Sequence, residues 1–316
     1  RLVSVTDPEG TVTVQNTYDD IGRVLSQLDG NGNKATLSYG SGKTTVTDNN
    51  GNVTRVFYDS AYRTTKIINP DGSTEEKTWD ANGNMASYTD QYGTTTRYAY
   101  NKDGLVTKET RTDGAAAERT YNAMNKVTSY TDFAGNTTNY EYDSKGNLTK
   151  VTYADGSTAQ YAYNDKNQVV SATDQLGNTV SFTYTGALCT TFTDALGNET
   201  KYGYSPMGWL TGVEDAQGNI TRYSYNACGE RYAEQRADGS VYTYVYNDAG
   251  YVTAIQDELG YVSEFTYDKQ GNMLMGVDPL GNTLTVTYDE NYNKLTSTDA
   301  LGQKTSYVYD KMDRVK

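Results

Sequence analysis

Short segments along the chain alternate polar residues with aromatic or branched ones. In residues 138–142 the rings are Tyr140 and Tyr142, and polar side chains stand between them. Residues 221–225 repeat this arrangement, and similar segments are rich in Thr, Tyr and Val. A period of two places alternate side chains on opposite faces of a β-strand. The pattern therefore predicts antiparallel strands whose aromatic side chains share one face.

Four-residue quartets that start with Asp or Asn and end with Gly separate these segments, as in residues 174–177. Such quartets are typical of a type I turn followed by a left-handed residue, which closes a β-hairpin. Proline favours the second turn position because its φ is fixed near −65°. All four prolines occupy that position, namely Pro8, Pro70, Pro206 and Pro279.

Some quartets carry another residue in the glycine position. Asn125, Asn167 and Asp313 are residue types that tolerate positive φ. Tyr62 and Tyr292 are less suited to it, so we expect altered loops at these two positions.

A tyrosine recurs at intervals of almost always 21 residues from Tyr18 to Tyr309, and Trp79 fills a vacant position. Roughly 15 copies of one unit predict an all-β, repetitive antiparallel β-hairpin ribbon that curves into a spiral or shell-wall segment. We expect one repeat domain over residues 1–316. The returning strand spaces its apolar residues by three, as in Leu148 and Val151, so it is either bulged or partly covered on both faces.

Composition and charge exclude several functions. Apolar residues make up only 36% of the chain, the net charge is −13 and histidine is absent. The charge argues against nucleic-acid binding, and the absence of histidine excludes Ser-His, Cys-His and His-ligated metal sites within this chain. Cys189 and Cys228 indicate neither a disulfide framework nor a metal site. No apolar stretch approaches the ~18 residues of a membrane span, and no cofactor is predicted.

Two acidic and amide-rich stretches resemble calcium loops in part. Residues 29–33 and 48–52 alternate carboxylate and amide oxygens. They lack the glycine at the sixth loop position and the distal glutamate of an EF-hand. Both stretches also coincide with repeat turns. We therefore predict no metal site there. Scattered acidic pairs such as Asp19 and Asp20 do not indicate a glycosidase either.

The motif Tyr-Asp-x-x-Gly-Asn-Leu-x-x-Val-Thr-Asp-x-x-Gly-Asn-Thr is nearly complete in residues 142–156 and 267–283. It resembles the YD repeat of the RHS family, which includes bacterial polymorphic toxins, wall-associated proteins, shell components of insecticidal toxin complexes and teneurins. The resemblance implies a non-enzymatic scaffold within a longer, secreted or surface-associated bacterial protein. It also implies a hollow shell that holds or displays a C-terminal toxin domain of the same parent chain.

The family's shell-closing, self-cleaving core is not found in this sequence. That core carries an arginine with paired tyrosines and an Asp-Pro dipeptide. Asp278-Pro279 belongs to an ordinary repeat turn and is followed by repeat residues. Self-proteolysis is therefore not expected of these residues.

The alternative hypothesis is an adhesion module that binds cell-wall carbohydrate or a surface protein through exposed rings. Rings at a fixed repeat position are better explained as the inner layer of the sheet. The candidate ligand contacts are therefore the residues that deviate from the repeat: Tyr62, Trp79, Tyr92, Trp209 and Tyr292. Self-association through unpaired sheet edges is also expected.

Overall fold

The computed structural model describes residues 1–8 and 10–316. These residues form 30 β-strands and no helix, and they divide into two compact units. Unit 1 contains residues 1–76 and 224–316, and unit 2 contains residues 77–223. The prediction of an all-β chain is confirmed.

The strands of unit 1 are β1 Ser4–Thr6, β2 Val12–Tyr18, β3 Val24–Asp29, β4 Lys34–Gly40, β5 Lys43–Thr47, β6 Val53–Tyr58, β7 Thr64–Ile68, β23 Arg231–Gln235, β24 Val241–Tyr246, β25 Val252–Gln256, β26 Val262–Tyr267, β27 Met273–Val277, β28 Thr283–Tyr288, β29 Lys294–Thr298 and β30 Lys304–Ser306. Those of unit 2 are β9 Met85–Thr89, β10 Thr95–Tyr100, β11 Val106–Arg111, β12 Ala116–Tyr121, β13 Val127–Thr131, β14 Thr137–Tyr142, β15 Leu148–Thr152, β16 Thr158–Tyr163, β17 Val169–Thr173, β18 Thr179–Thr185, β19 Leu188–Thr193, β20 Glu199–Tyr204 and β21 Leu210–Glu214. The strands β8 Thr74–Trp79 and β22 Ile220–Tyr225 include the unit boundaries.

Successive strands within each unit pair antiparallel, and the returning strand is bulged. Tyr140 lies opposite Val151 and Tyr142 opposite Leu148, with a register shift between Glu141 and Tyr142. The bulge returns Leu148 and Val151 to the same face as the rings, which explains their spacing of three. The structure therefore shows the bulge, and the residues of β15 on both faces are also half-buried or buried.

The turns have the predicted geometry, shown by residues 174–177. The amide of Gly177 donates to the carbonyl of Asp174 over 3.1 Å, and the glycine has a φ of +85°. The Asp174 side chain accepts hydrogen bonds from the amides of Leu176 and Asn178 at 2.8 and 2.9 Å. Asp is therefore favoured at the first position because its side chain closes the loop.

The expectation of altered loops at Tyr62 and Tyr292 was wrong. Both residues adopt the left-handed conformation, with φ of +59° and +67°, and their amides donate to Asp59 and Asp289 like the amides of the glycines. The cost of positive φ is about 1–2 kcal/mol for a residue with a Cβ, and the turn hydrogen bonds offset it. Asn125, Asn167 and Asp313 also have positive φ, as predicted.

The recurring tyrosine ties consecutive hairpins together. The hydroxyl of Tyr142 donates to the carbonyl of Val127 over 2.9 Å, and Tyr184 bonds Val169 in the same way over 2.8 Å. The ladder between β13 and β14 ends at the pair Ser129 and Asn139, so it does not reach Val127. The hydroxyl satisfies this carbonyl, which explains why most repeats use Tyr rather than Phe.

The sheet has a thin core. Among the described residues, the buried apolar side chains are Ala117, Val151, Ala159 and Val286, and no large side chain is fully buried. The tyrosines at the strand ends are half-buried. Stability must therefore come largely from contacts between neighbouring repeats, as in other repeat proteins.

Candidate functional site

Antiparallel pairing places the turns in two rows. The turns that follow the repeat tyrosine, such as residues 289–292, form the tyrosine rim. The turns at the other strand ends, such as residues 48–51, form the return rim. In unit 1, three return turns near the start of the chain contact three tyrosine turns near its end. We call this contact the seam.

The seam repeats one contact at two successive turns. The side-chain amide of Asn31 donates to the carboxylate of Asp268 over 2.9 Å, and that of Asn50 donates to Asp289 over 3.0 Å. Each Asn is the third residue of its return turn, and each Asp is the first residue of its tyrosine turn. The paired residues are separated by 237 and 239 positions.

The third turn pair makes the contact differently because Asp71 stands where the earlier turns have Asn. Two carboxylates cannot donate to each other, and Arg314 bridges them. Its guanidinium lies 3.1 Å from Asp71 and 2.8 Å from Asp310. The seam thus requires a donor between the third residue of the return turn and the opposing Asp.

Backbone groups add to the seam. The amide of Asn50 donates to the Asn291 side chain over 3.2 Å, and Asn49 donates to the carbonyl of Glu290 over 3.1 Å. Asn291 in turn donates to Asp48 over 2.8 Å. An open, polar groove of about 890 Å³ follows these contacts.

Tyr292, one of the five predicted contact residues, makes side-chain hydrogen bonds at the seam. Its hydroxyl donates to the Asp29 carboxylate and accepts from the Asn33 side chain at 3.2 Å. Burial and the bond to Asp29 raise the pKa of Tyr292 to about 12. The hydroxyl therefore remains a proton donor at neutral pH.

Two seam carboxylates are stabilised in their ionised form. For Asp268, burial raises the pKa, but hydrogen bonds from Asn272 and Asn31 outweigh it and the pKa is lowered. Hydrogen bonds from Ser73 and the charge of Arg314 lower the pKa of Asp71. Both side chains consequently act as acceptors at neutral pH.

The other predicted contact residues lie in different surroundings. Tyr62 and Tyr92 are 86% and 80% exposed at turn tips. Trp79 ends β8 in the position of the repeat tyrosine and is half-buried. Trp209 is also half-buried, and its amide donates to Ser205 over 3.1 Å. Whether any of these residues binds a ligand stays a prediction.

Asn31 and Asn50 were not predicted as contact residues, although the two oxygen-rich stretches that contain them stood out in the sequence. The unusual density of amides there was the available signal. Asn31, Asn49 and Asn50 direct their amides at the opposing turns. Within residues 1–8 and 10–316, no group of three or more His, Cys, Asp or Glu side chains is arranged to hold a metal ion.

Cys189 is half-buried and Cys228 is exposed, and both are free thiols. The part of the chain that the structure describes contains no helix long and apolar enough to cross a membrane.

Hairpins of this kind, bulged after a repeat tyrosine and joined into a ribbon, define the class of YD-repeat proteins. The sequence profile described as Teneurin YD-shell matches residues 55–187 and 115–282, and the RHS Repeat profile matches residues 1–34. The chain belongs to the teneurin YD-shell family of RHS-repeat proteins. A comparison with curated protein sequences finds no match.

Solved structures with the same fold include complexes of TcdB2 with TccC3. TcdB2-TccC3-Cdc42 has a TM-score of 0.77 at 14% identity, over 97% of this chain and 19% of that chain. TcdB2-TccC3 without its hypervariable C-terminal region has a TM-score of 0.77 at 13% identity, over 99% of this chain and 21% of that one. The chain therefore spans about a fifth of the length of these structures.

Proposed function

We propose that this chain is a non-enzymatic wall segment of a hollow shell. In this proposal it belongs to a longer, secreted or surface-associated bacterial protein whose C-terminal domain the shell encloses or displays. The family match and the shared fold support a structural, shell-forming role. The seam is the observation that carries the proposal furthest, because a wall must seal where its rims meet.

The thin core supports a wall over a solid domain. Large side chains on the ringed face remain half-exposed, so the sheet has two accessible faces rather than one packed centre. A two-faced sheet separates two compartments only if neighbouring rims join without gaps. In unit 1 the joint is made by directional amide-to-carboxylate bonds that recur from turn to turn.

Limited proteolysis of the parent polypeptide tests enclosure. The C-terminal domain should resist protease in the wild type and become sensitive in the double variant Asn31→Asp/Asn50→Asp, in which like charges face each other across the seam. Asn82→Asp changes a third-position Asn outside the seam and serves as the matched control. Equal cleavage of the C-terminal domain inside the parent and in isolation would overturn the proposal.

Adhesion remains the second candidate because Tyr92 exposes its ring at a turn tip. Exposed aromatic rings can stack on sugars or anchor a protein contact. A binding role predicts that Tyr92→Ala leaves the unfolding free energy unchanged but abolishes retention on cell-wall polysaccharide or whole cells. Equal retention of wild type and variant would rule out this role for Tyr92.

A further inference from the structure

Three asparagines in this chain are followed by glycine, and two of them are side-chain donors of the seam. The three are Asn31, Asn50 and Asn82, and each stands in the same local sequence, Asn-Gly-Asn. Asparagine before glycine is especially prone to deamidation, because glycine lacks the Cβ that hinders attack of its amide nitrogen on the asparagine side chain. The sequence therefore places two labile amides at the seam.

Deamidation needs only the chain itself and water. The amide nitrogen of Gly51 forms a bond to the side-chain carbon Cγ of Asn50, and the bond from Cγ to Nδ2 breaks. Ammonia leaves with the proton that the Gly51 nitrogen has lost. Water then opens the cyclic imide at either carbonyl and leaves an aspartate or an isoaspartate. A neutral hydrogen-bond donor is thereby converted into a carboxylate, which only accepts.

The three asparagines share their exposure and their turn geometry. All three are exposed, so water reaches them. The amides of Gly32, Gly51 and Gly83 each donate to the carbonyl of the first-position Asp, over 3.0, 3.1 and 3.1 Å. This bond holds the attacking nitrogen in the turn, which must open locally before the cyclic imide can form. The turns alone therefore give the three sites similar reactivity.

The seam adds a second restraint at two of the three sites. Asp268 holds the side-chain amide of Asn31 over 2.9 Å, and Asp289 holds that of Asn50 over 3.0 Å. Asn82 lies in unit 2, in a turn outside the seam. A hydrogen bond to a carboxylate should slow local opening, and with it deamidation, by ~10-fold or more. The closed seam therefore protects the two asparagines on which it depends.

The third turn pair of the seam shows what a carboxylate at this position requires. Asp71 occupies the asparagine position there, and Arg314 bridges it to Asp310 at 3.1 and 2.8 Å. The other two tyrosine turns have Asn272 and Asn293 where this turn has Arg314. A neutral amide does not compensate the repulsion between two facing carboxylates. Deamidation at the first two turn pairs should therefore open the seam.

We propose that Asn31 and Asn50 are modification sites whose deamidation opens the seam irreversibly. Each contact protects its own asparagine, and the loss of one contact loosens the next turn pair and speeds its conversion. The seam is thus a slow one-way switch whose rate is set by Asp268 and Asp289. This proposal rests on the seam contacts and is independent of the enclosure of a cargo domain.

Deamidation rates in the folded protein test the protection. The purified chain is incubated at mildly alkaline pH in heavy-oxygen water, and mass spectrometry quantifies the peptides that contain the three asparagines. In the folded chain, Asn82 should convert ~10-fold or more faster than Asn31 and Asn50. In urea the three should convert at similar rates, because their local sequences match. Equal rates in the folded chain would overturn the proposal.

Variants test whether the product opens the seam. Asn50→Asp imitates the deamidated chain and should speed hydrogen exchange in residues 289–293 by ~10-fold, whereas Asn82→Asp should leave it unchanged. Asn50→Asp/Asn293→Arg should restore slow exchange, because the added guanidinium can bridge the two carboxylates as Arg314 does. Unchanged exchange in Asn50→Asp, or no recovery with the added arginine, would overturn the proposal.

Discussion

In unit 1, the return turns that take part in the seam and those that do not share one geometry, but they differ in the side chain of the third residue. Asn50 and Leu280 are both third residues of return turns in which the amide of the closing Gly donates to the carbonyl of the first-position Asp. Asn50 donates to Asp289 across the seam, whereas Leu280 projects into solvent. The turn geometry is therefore shared, and the third residue is the one that reaches the opposing turn at Asn50.

The largest expected effect comes from replacing the two Asn donors of the seam by carboxylates. Asn31→Asp/Asn50→Asp replaces two donors by carboxylates that face Asp268 and Asp289. We expect a loss of about 2–4 kcal/mol in unfolding free energy, measured by urea titration. Asn82→Asp, outside the seam, should cost less than about 0.5 kcal/mol. Equal losses in the two variants would show that the seam amides do not act across the contact.

A change to the shared turn should affect return turns inside and outside the seam alike. Gly281→Val places a β-branched residue at a φ of +82°, although no atom lies within 4 Å of the added Cβ. The penalty of about 1–2 kcal/mol is therefore conformational. Gly51→Val in the seam, with a φ of +81°, should cost a similar amount. Gly281→Asn should be nearly neutral, and an equal loss for Asn and Val would contradict the turn assignment.

Tyr292→Phe removes the hydroxyl bond to Asp29 and should cost about 1–2 kcal/mol at neutral pH. The folded pKa is raised from 10.0 to about 12. The stabilisation is therefore complete below pH 10 and is lost as the pH rises through about 12. The difference in unfolding free energy between wild type and variant should shrink over that range. Tyr62→Phe, at an exposed turn tip outside the seam, is the control and should leave the unfolding free energy unchanged. A difference between wild type and Tyr292→Phe that stays constant with pH would contradict the account.

The smallest effect concerns the hydroxyl bond of the repeat tyrosine, which occurs in both units. Tyr142→Phe leaves the Val127 carbonyl without its hydroxyl donor, and we expect a loss of about 1 kcal/mol in thermal or urea unfolding. Tyr92→Phe, whose hydroxyl lies on an exposed ring, is the matched control. No difference between the two variants would mean that the hydroxyl tie does not stabilise the hairpins.

Local features of the fold were predictable because each repeat contains the residues that specify its own turns and strands. The positions of glycine and proline specified the turns, and the period of two specified the strands. The bulge was left open, since a spacing of three fits two arrangements. Positive φ at Tyr62 was misjudged because the Asp59 side chain and the turn bonds compensate locally.

The seam could not be derived from the sequence. Its partners are separated by 237 to 243 residues, so its register depends on small twists summed over many strands. Tyr292 was selected only because it deviates from the glycine position. Asn31 and Asn50 were noted as oxygen-rich, but their role as donors emerges only from the opposing carboxylates.

Hydrogen exchange followed by mass spectrometry tests the seam most directly. Peptides covering residues 48–52 and 289–293 should exchange more slowly than the peptide covering residues 278–282, because only the first two contact an opposing rim. In Asn31→Asp/Asn50→Asp that protection should fall while residues 278–282 remain unchanged. Equal exchange of the turns inside and outside the seam in the wild type would contradict the claim that the two rims of unit 1 seal each other.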